Sequence, residues 1–131
     1  MTTEVLSLYV FCATIFFTIF AQAMVTVATT NFAYVSGNRD VPLDNPSPVL
    51  GRLERAIRNS IEAAVVFVPL VFIATQAGVS NEMTQWSAMV FAASRVLYVI
   101  TYALGIVGAR TIIWNVAATA LGIFGAGILL G

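Results

Sequence analysis

The sequence predicts an all-α integral membrane protein, a four-helix transmembrane bundle, and three observations carry that prediction. Of 131 residues, 60% are hydrophobic and only 9% charged, where a soluble domain carries roughly 25% charged residues. The mean hydropathy is +0.93. The apolar residues gather into four runs, each long enough to supply the ~20 residues a helix needs to cross hydrocarbon. None of the runs shows the strict alternation of a membrane strand. A backbone in lipid must satisfy its own hydrogen bonds, which leaves helices.

The first run, from about Val5 to Val35, contains no charge at all. It exceeds one span, so it is expected to tilt or to project beyond the bilayer. Its length, and the lack of a basic flank and small-residue cleavage site, argue against a cleaved signal peptide. The second run covers about Leu50 to Gln76 and is polar on one side over its first three turns. Pro69 falls inside it, where a kink is expected. The third, about Met83 to Val107, is interrupted only by Arg95, and the fourth covers about Thr111 to Leu130. Residues 1–131 therefore read as one transmembrane domain. Residues 36–48 are rich in turn formers and make the one substantial loop. The links at 78–82 and 108–110 are short, which implies antiparallel neighbours. Gly122, Gly125 and Ala126 suggest a small-residue packing face late in the chain.

Composition excludes several chemistries. The net charge is zero, which argues against nucleic acid as a partner. There is no histidine and no lysine, so an imidazole base, a lysine nucleophile and a histidine-ligated metal are all ruled out, and no metal is expected. Cys12 is the single cysteine, so an internal disulfide is impossible, and it reads as a small apolar filler. Trp86 and Trp114 read as interfacial aromatics. The phenylalanines of the first run (Phe11, Phe16, Phe17, Phe20) read as lipid or bundle packing.

Arginine placement sets the expected orientation. Arg39, Arg52, Arg55 and Arg58 cluster around the first loop, and Arg110 lies in the third connection. An even number of spans puts both on one side, while the other side carries Glu4 and Glu82 and no base. The positive-inside rule then places the arginines at the cytoplasmic face and both termini opposite. The compact chain suits a bacterial inner membrane with periplasmic termini.

The most informative stretch is Arg52–Glu62, which holds three of six basic residues and two of six acidic ones. Residues three or four apart share a helix face, so Arg52, Arg55, Arg58, Asn59 and Glu62 form a single stripe. Arg95, Tyr98 and Tyr102 form another. At 1.5 Å per residue, Glu62 and Arg95 both lie roughly 18 Å from the cytoplasmic face. A lone charge at such depth is costly, so a direct Glu62–Arg95 ion pair is expected. That pair could serve helix register alone. Register needs only one pair, however, whereas this chain gathers Arg55, Arg58, Asn59, Glu62, Tyr98, Tyr102 and Arg110 into one zone. A single short bundle encloses little volume, so the zone is expected to face a second copy of the chain. Arginine forks suit carboxylates and a glutamate suits an ammonium, so the zone suits a small zwitterion with more than one carboxylate.

The segment Glu54-Arg55-Ala56-Ile57-Arg58-Asn59-Ser60-Ile61-Glu62 resembles the signature of the MAPEG family, membrane-associated proteins in eicosanoid and glutathione metabolism. Arg95-Val96-Leu97-Tyr98, with Tyr102 and Arg110 beyond it, resembles a second family motif. The agreement in spacing, helix count and length covers essentially the whole chain. It departs from the family at Tyr98, where many members have histidine, and at Trp114, where several eicosanoid-forming members have tyrosine. Pro69 also follows the motif glutamate later than usual, and the link before Arg110 is one residue shorter than in some relatives.

The resemblance implies a homotrimer that binds glutathione between subunits near the cytoplasmic side. Arg55, Arg58, Asn59 and Glu62 would hold the peptide, with Tyr98 and Tyr102 contributing. Arg110 would stabilise the thiolate for attack on a lipophilic electrophile or a lipid hydroperoxide arriving from the bilayer. Two other readings stay open at this stage. One is a non-catalytic lipid- or partner-binding member. The other is a small proton-coupled exporter using Glu62, a reading weakened by Arg95 at the same depth.

Overall fold

The computed structural model describes residues 1–131, and every element in it is a helix. In chain order these are α1 (Thr3–Thr29), α2 (Phe32–Ser36), α3 (Pro48–Ala77), α4 (Glu82–Leu104) and α5 (Val107–Leu129). The four long helices α1, α3, α4 and α5 are each long and apolar enough to span a membrane. The protein is an integral membrane protein of four spans.

Local chemistry sets the boundaries. Asn31 ends the first apolar run early, because its side chain accepts from Tyr34 N–H at 2.7 Å and starts the short α2. The single helix expected through Val35 is therefore two helices. Pro48 opens α3, where its missing N–H costs nothing. Gly78 and Gly105 close α3 and α4 in the left-handed conformation, φ +68° and +78°, which a side chain would resist. Asn81 and Thr84 start α4 with a reciprocal capping box. Only Gly105 and Ile106 separate α4 from α5, so those two helices form a tight antiparallel hairpin. Pro69 lies inside α3, which runs unbroken as one helix around it.

The core is organised around one phenylalanine from each span. Phe11, Phe67, Phe91 and Phe124 are all at most 1% exposed. Their ring centroids lie 4.3–5.9 Å apart, mostly edge to face, the geometry aromatic quadrupoles favour. Ala74, Ala88, Ala117 and Ala120 fill the space around them. Small residues matter here because lipid is as apolar as the core, so helices associate through close packing. Phe16, Phe17 and Phe20 instead point outward.

The bundle has two distinct ends. At one, the start of α1 meets the α3–α4 turn, with Ser80 bonded to Glu4 and Asn81 bonded to the carbonyl of Gly127 near the end of α5. Both termini lie there. At the other, Arg52 at the start of α3 donates to the Ala103 carbonyl beside the α4–α5 turn.

Candidate functional site

The site is built on the first four turns of α3 and the last three of α4. Arg55, Arg58 and Glu62 are exposed on the outer face of the chain, and Asn59 is half-buried between them. The seven steps from Arg55 to Glu62 cover about 10 Å of helix. Polar groups on a span's outer surface would meet hydrocarbon if nothing covered them.

Tyr102 joins this stripe to α5. Its hydroxyl accepts from Arg55 Nε at 3.1 Å, and the Arg110 guanidinium lies over its ring, 4.7 Å from the centroid. Two arginines from different helices thus share one aromatic ring, a cation–π arrangement that fixes both. Arg52 does a related job one turn earlier. Its guanidinium packs so closely on Gly105 that an added Cβ would sit 2.8 Å from Arg52 Cζ. The glycine is required twice over, for its positive φ and for that close approach. Arg52 thereby holds the turn that leads to Arg110.

Arg95 sits deeper, 1% exposed. One terminal nitrogen donates to Asn59 Oδ1 at 3.0 Å and to Ser60 Oγ at 3.1 Å. Tyr98, 5% exposed, stacks its ring 4.5 Å from the Arg95 guanidinium. Tyr98 therefore packs inward against Arg95 and lies 5.5 Å from the Tyr102 ring. It is not part of the exposed stripe.

The expected direct Glu62–Arg95 ion pair is not formed. Asn59 stands between the two. Its Oδ1 accepts from Arg95, while its Nδ2 donates to Glu62 Oε2 at 3.4 Å. The levels of the two charges agree, but Arg95 points into the bundle and Glu62 out of it. An amide can serve both because it carries a donor and an acceptor. Ser60 was not singled out from the sequence; it lies one residue past Asn59 and so on the inner side of α3. No cluster of three or more histidine, cysteine, aspartate or glutamate side chains exists anywhere in the chain.

The arrangement offers outward guanidinium forks for carboxylates, an outward carboxylate for an ammonium, and a guanidinium at Arg110 for an anion. The fold and this face together define a class: a small four-span membrane protein with an exposed polar face on its second span, joined by Tyr102 to the third. The chain belongs to the MAPEG family, whose model matches residues 7–130. No curated protein and no solved structure gives a significant match.

Proposed function

We propose that this protein is a glutathione-dependent membrane transferase or peroxidase acting on lipophilic electrophiles or lipid hydroperoxides. The observation that carries the reading is the exposed Arg55–Arg58–Glu62 face on the second span, beside the Tyr102–Arg110 stack. Its charges complement a peptide with two carboxylates and one ammonium. Membership of the family supports glutathione as that peptide.

In this reading three copies assemble, and each polar face is covered by a neighbour with glutathione between them. Arg55 and Arg58 hold carboxylates and Glu62 meets the ammonium. Asn59 supplies an amide, Tyr102 orients the arginines, and Tyr98 backs the pocket through Arg95. Arg110 stabilises the glutathione thiolate, which is the nucleophilic form of a thiol. The thiolate attacks an electrophilic carbon, forming a C–S bond and expelling a leaving group such as chloride. Alternatively it attacks the terminal hydroperoxide oxygen, forming an S–O bond as the O–O bond breaks; the lipid leaves as an alkoxide that takes up a proton, and a second glutathione converts the sulfenic acid to disulfide and water. The acceptor enters from the bilayer side. The arginine-rich end faces the cytoplasm and both termini face away from it, following the positive-inside rule.

Titration calorimetry of the protein in lipid nanodiscs tests the reading. Saturable binding of millimolar glutathione is expected, with turnover of a chlorinated aromatic or a fatty acid hydroperoxide. Absence of binding sinks the proposal. Binding without turnover of either acceptor makes the chain a non-catalytic family member.

A further inference from the structure

The tight α4–α5 hairpin brings two helix ends of opposite polarity together. The C-terminus of α4 is the negative end of its dipole, and the N-terminus of α5 is the positive end. Helix α4 has no basic residue in its last turn, so nothing of its own offsets that end. Within the turn, Gly105 N–H donates to the Tyr102 carbonyl and Ile106 N–H to that of Thr101. The Ala103 carbonyl is served from another helix, by Arg52 of α3 through a long bond of 3.5 Å. The same guanidinium crowds Gly105, where an added Cβ would lie 2.8 Å from Nη1 and 3.0 Å from Nη2.

Arg52 is thus the cationic cap that α4 lacks. Basic side chains at a helix C-terminus are favourable because they offset exposed carbonyls. The cap has a consequence further along the chain. Tyr102 lies one residue before the capped carbonyl, and Arg110 lies five residues after Gly105. The two meet as a stack, the Arg110 guanidinium 4.7 Å from the Tyr102 ring centroid. Opening the turn would shift one partner of that stack against the other. It would also leave α4's carbonyl end uncompensated beside any anion that Arg110 holds.

We propose that Arg52 is a positioning residue for Arg110: by capping α4 and clasping Gly105 it fixes the turn, and with it the place of the Arg110 guanidinium. Arg52 acts through the turn and does not touch the ligand. The inference rests on the glutathione reading for the identity of the anion, a thiolate.

Arg52→Met keeps the apolar stem and removes the guanidinium. In the intact chain in nanodiscs, kcat with a chlorinated aromatic is expected to fall about tenfold, while KM for glutathione holds. The acidic limb of the pH profile should move up by about one unit, because a less stabilised thiolate forms at higher pH. Arg52→Lys, which keeps a cation at the end of α4, should restore most of the rate. Arg39→Ala removes an equal charge from an exposed residue bonded to the Val35 carbonyl, and should change neither rate nor profile. Without glutathione, hydrogen exchange at the Gly105 and Ile106 amides should quicken in Arg52→Met. Unchanged exchange overturns the proposal, as does quicker exchange with an unaltered rate and pH profile. A raised KM at constant kcat also overturns it, by marking Arg52 as a ligand contact. So does an equal effect of Arg39→Ala, by marking general surface charge. A parent protein that binds no glutathione overturns the earlier reading alone, and the exchange result then decides the clasp.

Discussion

Glu4 and Glu62 are both carboxylates on membrane-spanning helices, yet the protein treats them in opposite ways. Glu4, in the first turn of α1, is 2% exposed. It accepts from Thr84 Oγ1 at 2.6 Å and from Ser80 Oγ at 3.0 and 3.2 Å. Gln85 in turn donates to Ser80, and Asn81 to the Gly127 carbonyl. This end of the bundle is a closed network that ties α1, α4 and α5 together. Glu62, midway along α3, is exposed and holds one long bond from Asn59. Buried polar groups that are fully matched fix a structure. Charged groups held in place but unmatched are available to a ligand or a second subunit. A closed end that holds the bundle thus stands apart from an open face on α3 that is left unmatched.

The largest expected effect is at the closed end. Glu4→Ala strands the Thr84 and Ser80 hydroxyls and removes two charge-assisted bonds, a loss of about 2–3 kcal/mol in unfolding free energy. Glutathione affinity, measured at a temperature where the variant stays folded, should not change. If Glu4→Ala weakened glutathione binding at full stability, the division between the closed end and the open face would collapse. Glu62→Gln should do the reverse. Affinity for glutathione falls about tenfold, or about 1.4 kcal/mol, while stability stays within about 0.5 kcal/mol of the parent. Calorimetry and thermal unfolding on the same preparation check both halves. The smallest effect sharpens the boundary between the two behaviours. A double-mutant cycle of Asn59→Ala with Arg95→Leu should give a coupling of about 1 kcal/mol. The cycle of Glu62→Gln with Arg95→Leu should give less. The opposite ranking would restore a direct Glu62–Arg95 pair.

Much of this was legible in the chain. Four apolar runs give four spans because hydrocarbon tolerates no other backbone, and three- and four-residue spacing puts Arg55, Arg58 and Glu62 on one face. What spacing does not carry is rotation about the helix axis relative to neighbours. Helix α1 is apolar all round, so nothing in its pattern shows that Phe11 packs inward while Phe16 and Phe17 face out. The same blindness affects Arg95 and Glu62, whose depths agree but whose directions diverge. Glu4 reads as an interfacial charge because its partners lie 76 and 80 positions away. The break at Asn31 carries a local signal, an N-capping side chain, obscured by the apolar residues on both sides.

The two-residue turn at Gly105–Ile106 also bears on how the chain enters the bilayer. Helix α4 has the lowest mean hydropathy of the four spans, 1.5 against 1.9 for α5, and carries Arg95 near its middle. An arginine at the centre of a span costs roughly 2.5–3.5 kcal/mol on translocon scales. With so short a link, α4 and α5 cannot insert as separate events far apart in space. They should enter the translocon's lateral gate as a hairpin, while α3, already synthesised, presents Asn59 and Ser60 to the incoming guanidinium. A glycosylation-mapping assay would then find α4 alone inserting incompletely, and α4 fused to α5 inserting in full.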